Sequence, residues 1–399
     1  MELILLDILL MLGIILFLGV AGGQMARKFN FPSVTGYILM GFLIGPSIIG
    51  LVDTQTLQQV TPVTDFALGL IGFSVGSELK WDFLRKNWEN FSLIFIGESL
   101  LTFSLIFGPV FILTRNLALA IILGILAMAS APASIMTTIN EKKAKGPFTR
   151  MLMSLVAMDS LICIIIFSFA TIILKAFYFE VEGDMFFWQS LGYELGLALL
   201  IGFILGSLSI WIINNVKEER RRQVLLIAVI FIAVGIPRQL NISYLLVTLI
   251  SGIMIINFSD QFRKFFQALH SIDTPILVIF LTLAGARLQI DVLPQVGVIG
   301  LIYISARLIG KIIGSRLGIR LCKLMPGSCA ELTPATQKYL GFALTPQAGV
   351  AVGLALLAEQ ELPLPEDITV TVILGSIIFF QIIGPFMLEI ALKKTGSLK

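Results

Sequence analysis

The run Ser154–Phe167 reads SLVAMDSLICIIIF and holds one carboxylate, Asp159. Asp159 lies nine residues past Arg150, which at 1.5 Å per residue puts it about 13 Å along a helix. An acid in so apolar a stretch is either locked to a basic partner or placed on a water-filled path to bind and release a proton or a small cation. Three further charges stand in comparable runs: Glu98 in LIFIGESLLTF, and Arg307 and Lys311 in YISARLIGKIIG. Arg307 and Lys311 are four apart and share one helical face. Arginine stays charged and suits a permanent brace, so Arg307 paired with Glu98 is expected to fasten two helices. Lysine shifts its pKa readily when buried, so Lys311 is expected to be the functional cation.

These groups need elements that hold them in lipid. The chain has 399 residues, 57% hydrophobic and only 13% charged, with mean hydropathy +0.96. Soluble domains carry about 25% charged residues, and a chain this apolar cannot hide its surface from water. A carboxylate halfway through a roughly 30 Å hydrocarbon core costs at least ~2.5–3.5 kcal/mol to insert, which argues for a use. The net charge of +3 gives no reason to expect nucleic acid. Thirteen apolar runs follow one another: Leu3–Met25, Phe31–Leu51, Pro62–Glu78, Phe91–Leu113, Asn116–Ile139, Met151–Leu174, Phe186–Ile213, Val224–Ile236, Ser243–Phe258, Ile272–Ala286, Val296–Ser315, Tyr339–Leu357 and Ile368–Leu392. The first lacks the basic start and small-residue cleavage site of a signal peptide and reads as a membrane helix. Loops after odd-numbered runs carry most of the lysines and arginines, whereas the even-numbered loops hold only Arg115, Lys175, Arg238 and Arg287. That asymmetry predicts an external N-terminus, a cytoplasmic C-terminus and an odd number of crossings in the cell (inner) membrane.

Several features read as structural. Gly41 and Gly45 in GFLIGPSIIG have the spacing of close helix packing, with no phosphate-loop lysine after them. His270 and the basic run Lys217–Arg222 read as solvated cytoplasmic groups, and the acidic run Glu180–Asp184 as an external loop. Cys163, Cys322 and Cys329 show no metal spacing, and none is expected to form a disulfide. No catalytic triad, zinc cluster or dinucleotide fingerprint survives its context, so the chain is not expected to be an enzyme or to need a cofactor.

Run five, LAMASAPASIMTTI, contains Pro132, and run twelve, LGFALTPQAGVAVGL, contains Pro346, each among small or polar neighbours. Proline removes a backbone donor, and in lipid the break must face protein or an aqueous cavity. The two runs are an odd number of crossings apart and therefore antiparallel. That is the sequence sign of an inverted repeat whose broken helices meet at a binding site. The same offset pairs run four, with Glu98, to run eleven, with Arg307 and Lys311, and pairs run six, with Asp159, to run thirteen. A small cation there would find oxygen ligands at Asp159, at the hydroxyls of Ser130 and Thr345, and at freed carbonyls. If proton and cation compete for one carboxylate, exchange follows once the site opens to each side in turn.

At this point the chain resembles the monovalent cation:proton antiporters, particularly the cation:proton antiporter-2 branch. The resemblance rests on PSVTGYILMGFLIGPSIIGL (Pro32–Leu51), ALGLIGFSVGSELK (Ala67–Lys80), ASAPASI (Ala129–Ile135), VAMDSL (Val156–Leu161), LAGARLQI (Leu283–Ile290), ARLIGK (Ala306–Lys311) and LGFALTPQAGVAVGLAL (Leu340–Leu356). It implies an all-α membrane protein of about thirteen transmembrane helices that works as a homodimer in the lipid bilayer. A sliding core would span about 88–178 and 293–394, a dimerising scaffold about 1–87 and 221–292, and a linker helix about 186–214. Family members usually carry an acidic pair, Asn-Asp or Gln-Asp in the helix matching run six; here Ala157-Met158-Asp159-Ser160 offers one acid. Asp159 matches either the second position, with Met158 before it, or the first, with Ser160 in the second place. A single carboxylate predicts electroneutral exchange of sodium or potassium for a proton. Many relatives append a nucleotide-binding domain; none follows Lys399, so gating of that kind would need a separate subunit. Two other readings stand beside this one: a non-transporting membrane sensor that kept the fold, and a sodium-coupled organic-anion carrier.

Overall fold

Backbone in lipid has no water to satisfy it, so long apolar runs must become helices, and helices are the only regular element among the described residues of this computed structural model. The structure describes every residue except 1–7, 30, 78–79, 179–183, 289–292, 325–331, 348, 366–367 and 399. In chain order the helices are α1 (Ile8–Lys28), α2 (Ser33–Ile44), α3 (Thr54–Gln59), α4 (Thr61–Gly76), α5 (Trp81–Thr114), α6 (Leu117–Leu126), α7 (Pro132–Glu141), α8 (Pro147–Tyr178), α9 (Asp184–Asn215), α10 (Glu219–Gln239), α11 (Tyr244–Phe258), α12 (Phe262–Ala286), α13 (Leu293–Lys323), α14 (Pro334–Ala343), α15 (Gly349–Glu361) and α16 (Ile368–Lys394). Seven of them (α1, α5, α8, α9, α10, α13 and α16) are long and apolar enough to cross a membrane. Exposed side chains such as Phe17, Phe203, Trp211, Leu301 and Phe386 give them the apolar outer surface that lipid covers. Run five is two helices, α6 and α7, and run twelve is also two, α14 and α15. The short α3 is not visible as an apolar run; Asp53 caps it by accepting from the Thr56 amide at 2.8 Å.

The chain divides into two compact units, Met1–Lys80 with Glu180–Asp291, and Trp81–Phe179 with Val292–Lys399. In the first, α2 packs on α1 and α12. Gly41 and Gly45 lie against the backbone of Thr282 and Ala286, where any side chain would collide, so the GxxxG spacing serves close packing. The same unit buries Asp65, which pairs with Arg238 at 3.0 Å and accepts from the Tyr244 hydroxyl at 3.2 Å.

In the second unit α5 and α13 run backbone to backbone. Cβ atoms at Gly310, Gly314 and Gly318 would come within 2.6, 2.7 and 2.6 Å of the Cα atoms of Thr102, Glu98 and Ile94. The four-residue spacing of these glycines makes one smooth stripe along α13. Beside them an apolar cluster includes Met128, Ile135, Leu155, Met158, Ile319, Leu340 and Leu344.

Three minor expectations change. Cys163 is buried and free, but Cys322 is disulfide-bonded, its partner lying outside the described residues; sequence spacing alone does not show which thiols the fold brings together. Within the basic run, Lys217–Arg221 are exposed as expected, but Arg222 is buried and reaches the Val216 carbonyl at 3.4 Å. His270 belongs to α12, its side chain outside the described residues, as are Cys329 and 180–183 of the acidic run.

Candidate functional site

The site is built where two helices stop. α6 ends at Leu126 and the chain resumes at α7 with Pro132, while α14 ends at Ala343 and α15 starts at Gly349. Proline at a helix start loses nothing, because that amide has no intrahelical partner. The two breaks bond to each other: the Ala131 amide donates to the Pro346 carbonyl at 2.9 Å. Each half-helix that ends here leaves carbonyls without partners and a partial negative charge.

Side chains from other helices supply the missing donors. Arg307, fully buried, donates through Nε to Ala127 O at 3.1 Å, through Nη1 to Thr345 O at 2.6 Å and through Nη2 to Ala129 O at 2.9 Å. Its guanidinium also lies 4.4 Å from the Phe380 ring centre. One flat cation thus joins both breaks, a task that needs arginine's fixed fork of donors. Lys311, one turn along the same face, donates to Met128 O at 2.5 Å. The Gln347 amide donates to Leu126 O at 3.0 Å and to the Tyr303 hydroxyl at 2.8 Å. Gln381 on α16 donates to Gln347 O at 3.0 Å and to Ser134 Oγ at 3.1 Å. Ser160 donates to Ser130 O at 3.1 Å, and Cys163 to Ile125 O at 3.3 Å.

Asp159 reaches this knot from the middle of α8 and is 0% exposed. Its Oδ2 accepts from Ser130 Oγ at 2.6 Å and from Lys311 Nζ at 3.0 Å. Its Oδ1 has no hydrogen-bond partner among the described residues. Lys311 also lies 3.2 Å from Ser130 Oγ and forms an ion pair with Glu98. Glu98 Oε2 in turn accepts from Ser99 at 3.2 Å. Two carboxylates therefore flank one ammonium in a site closed to solvent.

The structure brings Asp159, Ser130, Ser160, Lys311 and Glu98 together and puts Pro132 and Pro346 at the two breaks. It corrects two assignments. Glu98 pairs with Lys311, not with Arg307, because the arginine's three nitrogens are taken up by carbonyls. Thr345 meets the site through its carbonyl; its hydroxyl donates three residues back along the chain, to Phe342 O at 2.8 Å. Gln347, Gln381, Ser134 and Tyr303 also belong to the site, although no charge marks them in the sequence. Two of them carry a signal: Gln347 follows Pro346 directly, and Gln381 is the only amide in the apolar run SIIFFQIIG.

Residues 13–394 match the model of the family described as sodium/hydrogen exchanger, transmembrane. The chain is similar in fold to the sodium proton antiporter MjNhaP1 from Methanocaldococcus jannaschii. One structure of that protein, at pH 8, gives a TM-score of 0.75 at 17% identity, covering 98% of this chain and 99% of that one. A second, from electron microscopy, gives 0.66 at 16% identity over 100% and 97%. Among curated proteins it is 24% identical over 149 residues to the Na(+)/H(+)-K(+) antiporter GerN of Bacillus cereus, a match spanning 37% of this chain and 38% of that one.

Proposed function

Because the chain belongs to the transmembrane sodium/hydrogen exchanger family, a family of transporters and not of enzymes, we propose that it exchanges a monovalent cation, sodium or potassium, for a proton at Asp159. The observation that carries this reading is the asymmetry of one buried carboxylate. Oδ2 is held by Ser130 and Lys311, while Oδ1 has no partner among the described residues. A buried, half-satisfied carboxylate is costly unless a ligand completes it, and a proton or a bare cation does so equally well. The cation's further ligands would be Ser130 Oγ and carbonyls of the breaks.

The rest of the reading follows the resemblance. The unit holding α5–α8 and α13–α16 is the moving core of an elevator, and the unit holding α1–α4 and α9–α12 is the scaffold, which dimerises. Thirteen crossings form an inverted repeat, with the N-terminus outside the cell membrane and the C-terminus in the cytoplasm. Met158 packs in the apolar cluster whereas Ser160 turns its hydroxyl to the break. That supports Asp159 in the first acidic place and Ser160 in the second; in either register only one carboxylate is offered, which supports one proton per cation.

The organic-anion alternative has little to bind an anion with: Arg307 is committed to three carbonyls, and Lys311 to two carboxylates. The sensor alternative draws on the Lys311–Asp159 pair, which would silence the site if it held in every conformation. Purified protein in liposomes separates them. Adding sodium or potassium to acid-loaded vesicles should raise the internal pH, and Asp159→Asn should abolish the response. Inert wild-type protein, with either ion, would favour the sensor.

A further inference from the structure

Lys311 presents one ammonium to two carboxylates that come from different helices. Asp159 is on α8 and Glu98 is on α5. The two are not tied to the lysine in the same way. Glu98 rides on the helix that α13 approaches closely through Gly310, Gly314 and Gly318, with Gly314 directly opposite the Glu98 Cα. Lys311 and Glu98 therefore belong to one rigid helix pair. The Asp159 link is a side-chain contact alone.

We propose that Glu98 is the second seat of the Lys311 ammonium, to which it withdraws when a cation takes Asp159. This rests on the exchange reading above. A cation and an ammonium repel each other at a shared carboxylate, and Lys311 is 3.0 Å from the Asp159 oxygen. For the cation to bind well, the ammonium must retreat, and a buried ammonium retreats only to another anion. Glu98 is that anion, 1% exposed and already in contact. No bond is made or broken: the ammonium keeps its three protons and shifts its weight from one carboxylate to the other. The other charged or titratable side chains near it are otherwise engaged: Arg307 with carbonyls, Tyr303 with Gln347 and Cys163 with Ile125 O. Glu98 is thus a positioning residue for cation affinity; it touches neither ion.

The test is cation-driven proton movement in liposomes holding wild type, Glu98→Gln, Glu98→Asp, Lys311→Gln and the Glu98→Gln/Lys311→Gln double variant. Without the second seat, Lys311 clings to Asp159. Glu98→Gln should therefore raise the apparent KM for the cation about tenfold or more, with the maximal rate within about threefold of wild type. Glu98→Asp, which keeps the charge on a shorter arm, should recover most of the affinity. In the Lys311→Gln background, Glu98→Gln should leave KM unchanged, since no ammonium remains to seat. A merely structural Glu98 would lower the maximal rate in both backgrounds and leave KM alone. That outcome overturns the proposal, as does a KM effect that persists without Lys311. If Glu98→Gln does not assemble, the Glu98→Asp and Lys311→Gln results decide in the same way: Glu98→Asp should raise KM less than tenfold, with the maximal rate kept, and Lys311→Gln should lower KM. Exchange that survives Asp159→Asn sinks the underlying reading separately, whatever Glu98 does.

Discussion

Arg307 and Thr345 meet through the guanidinium Nη1 and a backbone carbonyl 2.6 Å apart, and the same guanidinium holds Ala127 and Ala129 across the other break. The two interrupted helices share one cation. In lipid a freed carbonyl cannot turn to water, so the carbonyls of Ala127, Ala129 and Thr345 depend on that cation for a donor.

Arg307→Gln is therefore expected to destabilise the protein more than any other single change in the site. A buried polar group left without its partner costs about 1–3 kcal/mol, and three carbonyls lose theirs. Thermal unfolding in detergent should show the largest fall in Tm for Arg307→Gln. Arg307→Lys should restore little, because an ammonium cannot span three carbonyls in the plane of a guanidinium.

Gln381 ties α16 to both breaks through Gln347 O and Ser134 Oγ. Gln381→Leu keeps the volume and removes both bonds. The expected cost is about 1–3 kcal/mol, with transport slowed several-fold because the halves are no longer held in register. A variant with wild-type stability and rate would show that this link is dispensable.

Gly314 faces the Cα of Glu98, and a Cβ there would come within 2.7 Å of it. Gly314→Ala must separate α5 from α13 at the height of the Glu98–Lys311 pair, at a cost of about 1–3 kcal/mol. Gly300, on the same helix with nothing within 4 Å of its Cβ position, is the control. Gly300→Ala should be neutral or stabilising by up to ~1 kcal/mol from helix propensity. Parallel melts of the two variants check the contrast.

These contrasts also mark what was legible beforehand. Charges in apolar runs stand out because burying them is so costly, and Glu98, Asp159, Arg307 and Lys311 all show as interruptions in the pattern. Their pairing does not show. Arg307 and Lys311 share a face, and the choice of Lys311 for Glu98 depends on three carbonyls whose freedom comes from the breaks. Proline alone is also a poor guide. Pro109, Pro237, Pro275 and Pro385 sit inside continuous helices, whereas Pro132 and Pro346 fall at interruptions. What marks the two interruptions in the structure is the set of donors that meets them: Arg307, Lys311 and Gln347 reach the carbonyls freed at ASAPAS and LTPQAG. Gln347 and Gln381 stayed hidden because a neutral amide barely disturbs a hydropathy profile, though inside lipid it is as directional a donor as any charge.

Under the proposed exchange, in which one carboxylate changes occupant and the Lys311 ammonium only shifts between carboxylates, each cycle would move one cation against one proton. The exchange rate in liposomes should then be the same at zero and at an imposed inside-negative membrane potential. A rate that changes several-fold with potential would mean unequal charges are exchanged.

The central claim is that proton and cation take the same oxygen atoms in turn, and the dependence of cation KM on pH measures this most directly. For competition at one carboxylate, apparent KM should rise towards tenfold for each unit of acidification once the proton outcompetes the cation, while the maximal rate at saturating cation stays constant. A KM that does not move with pH, with the maximal rate falling instead, would mean that the two ions bind at separate places and would contradict the account.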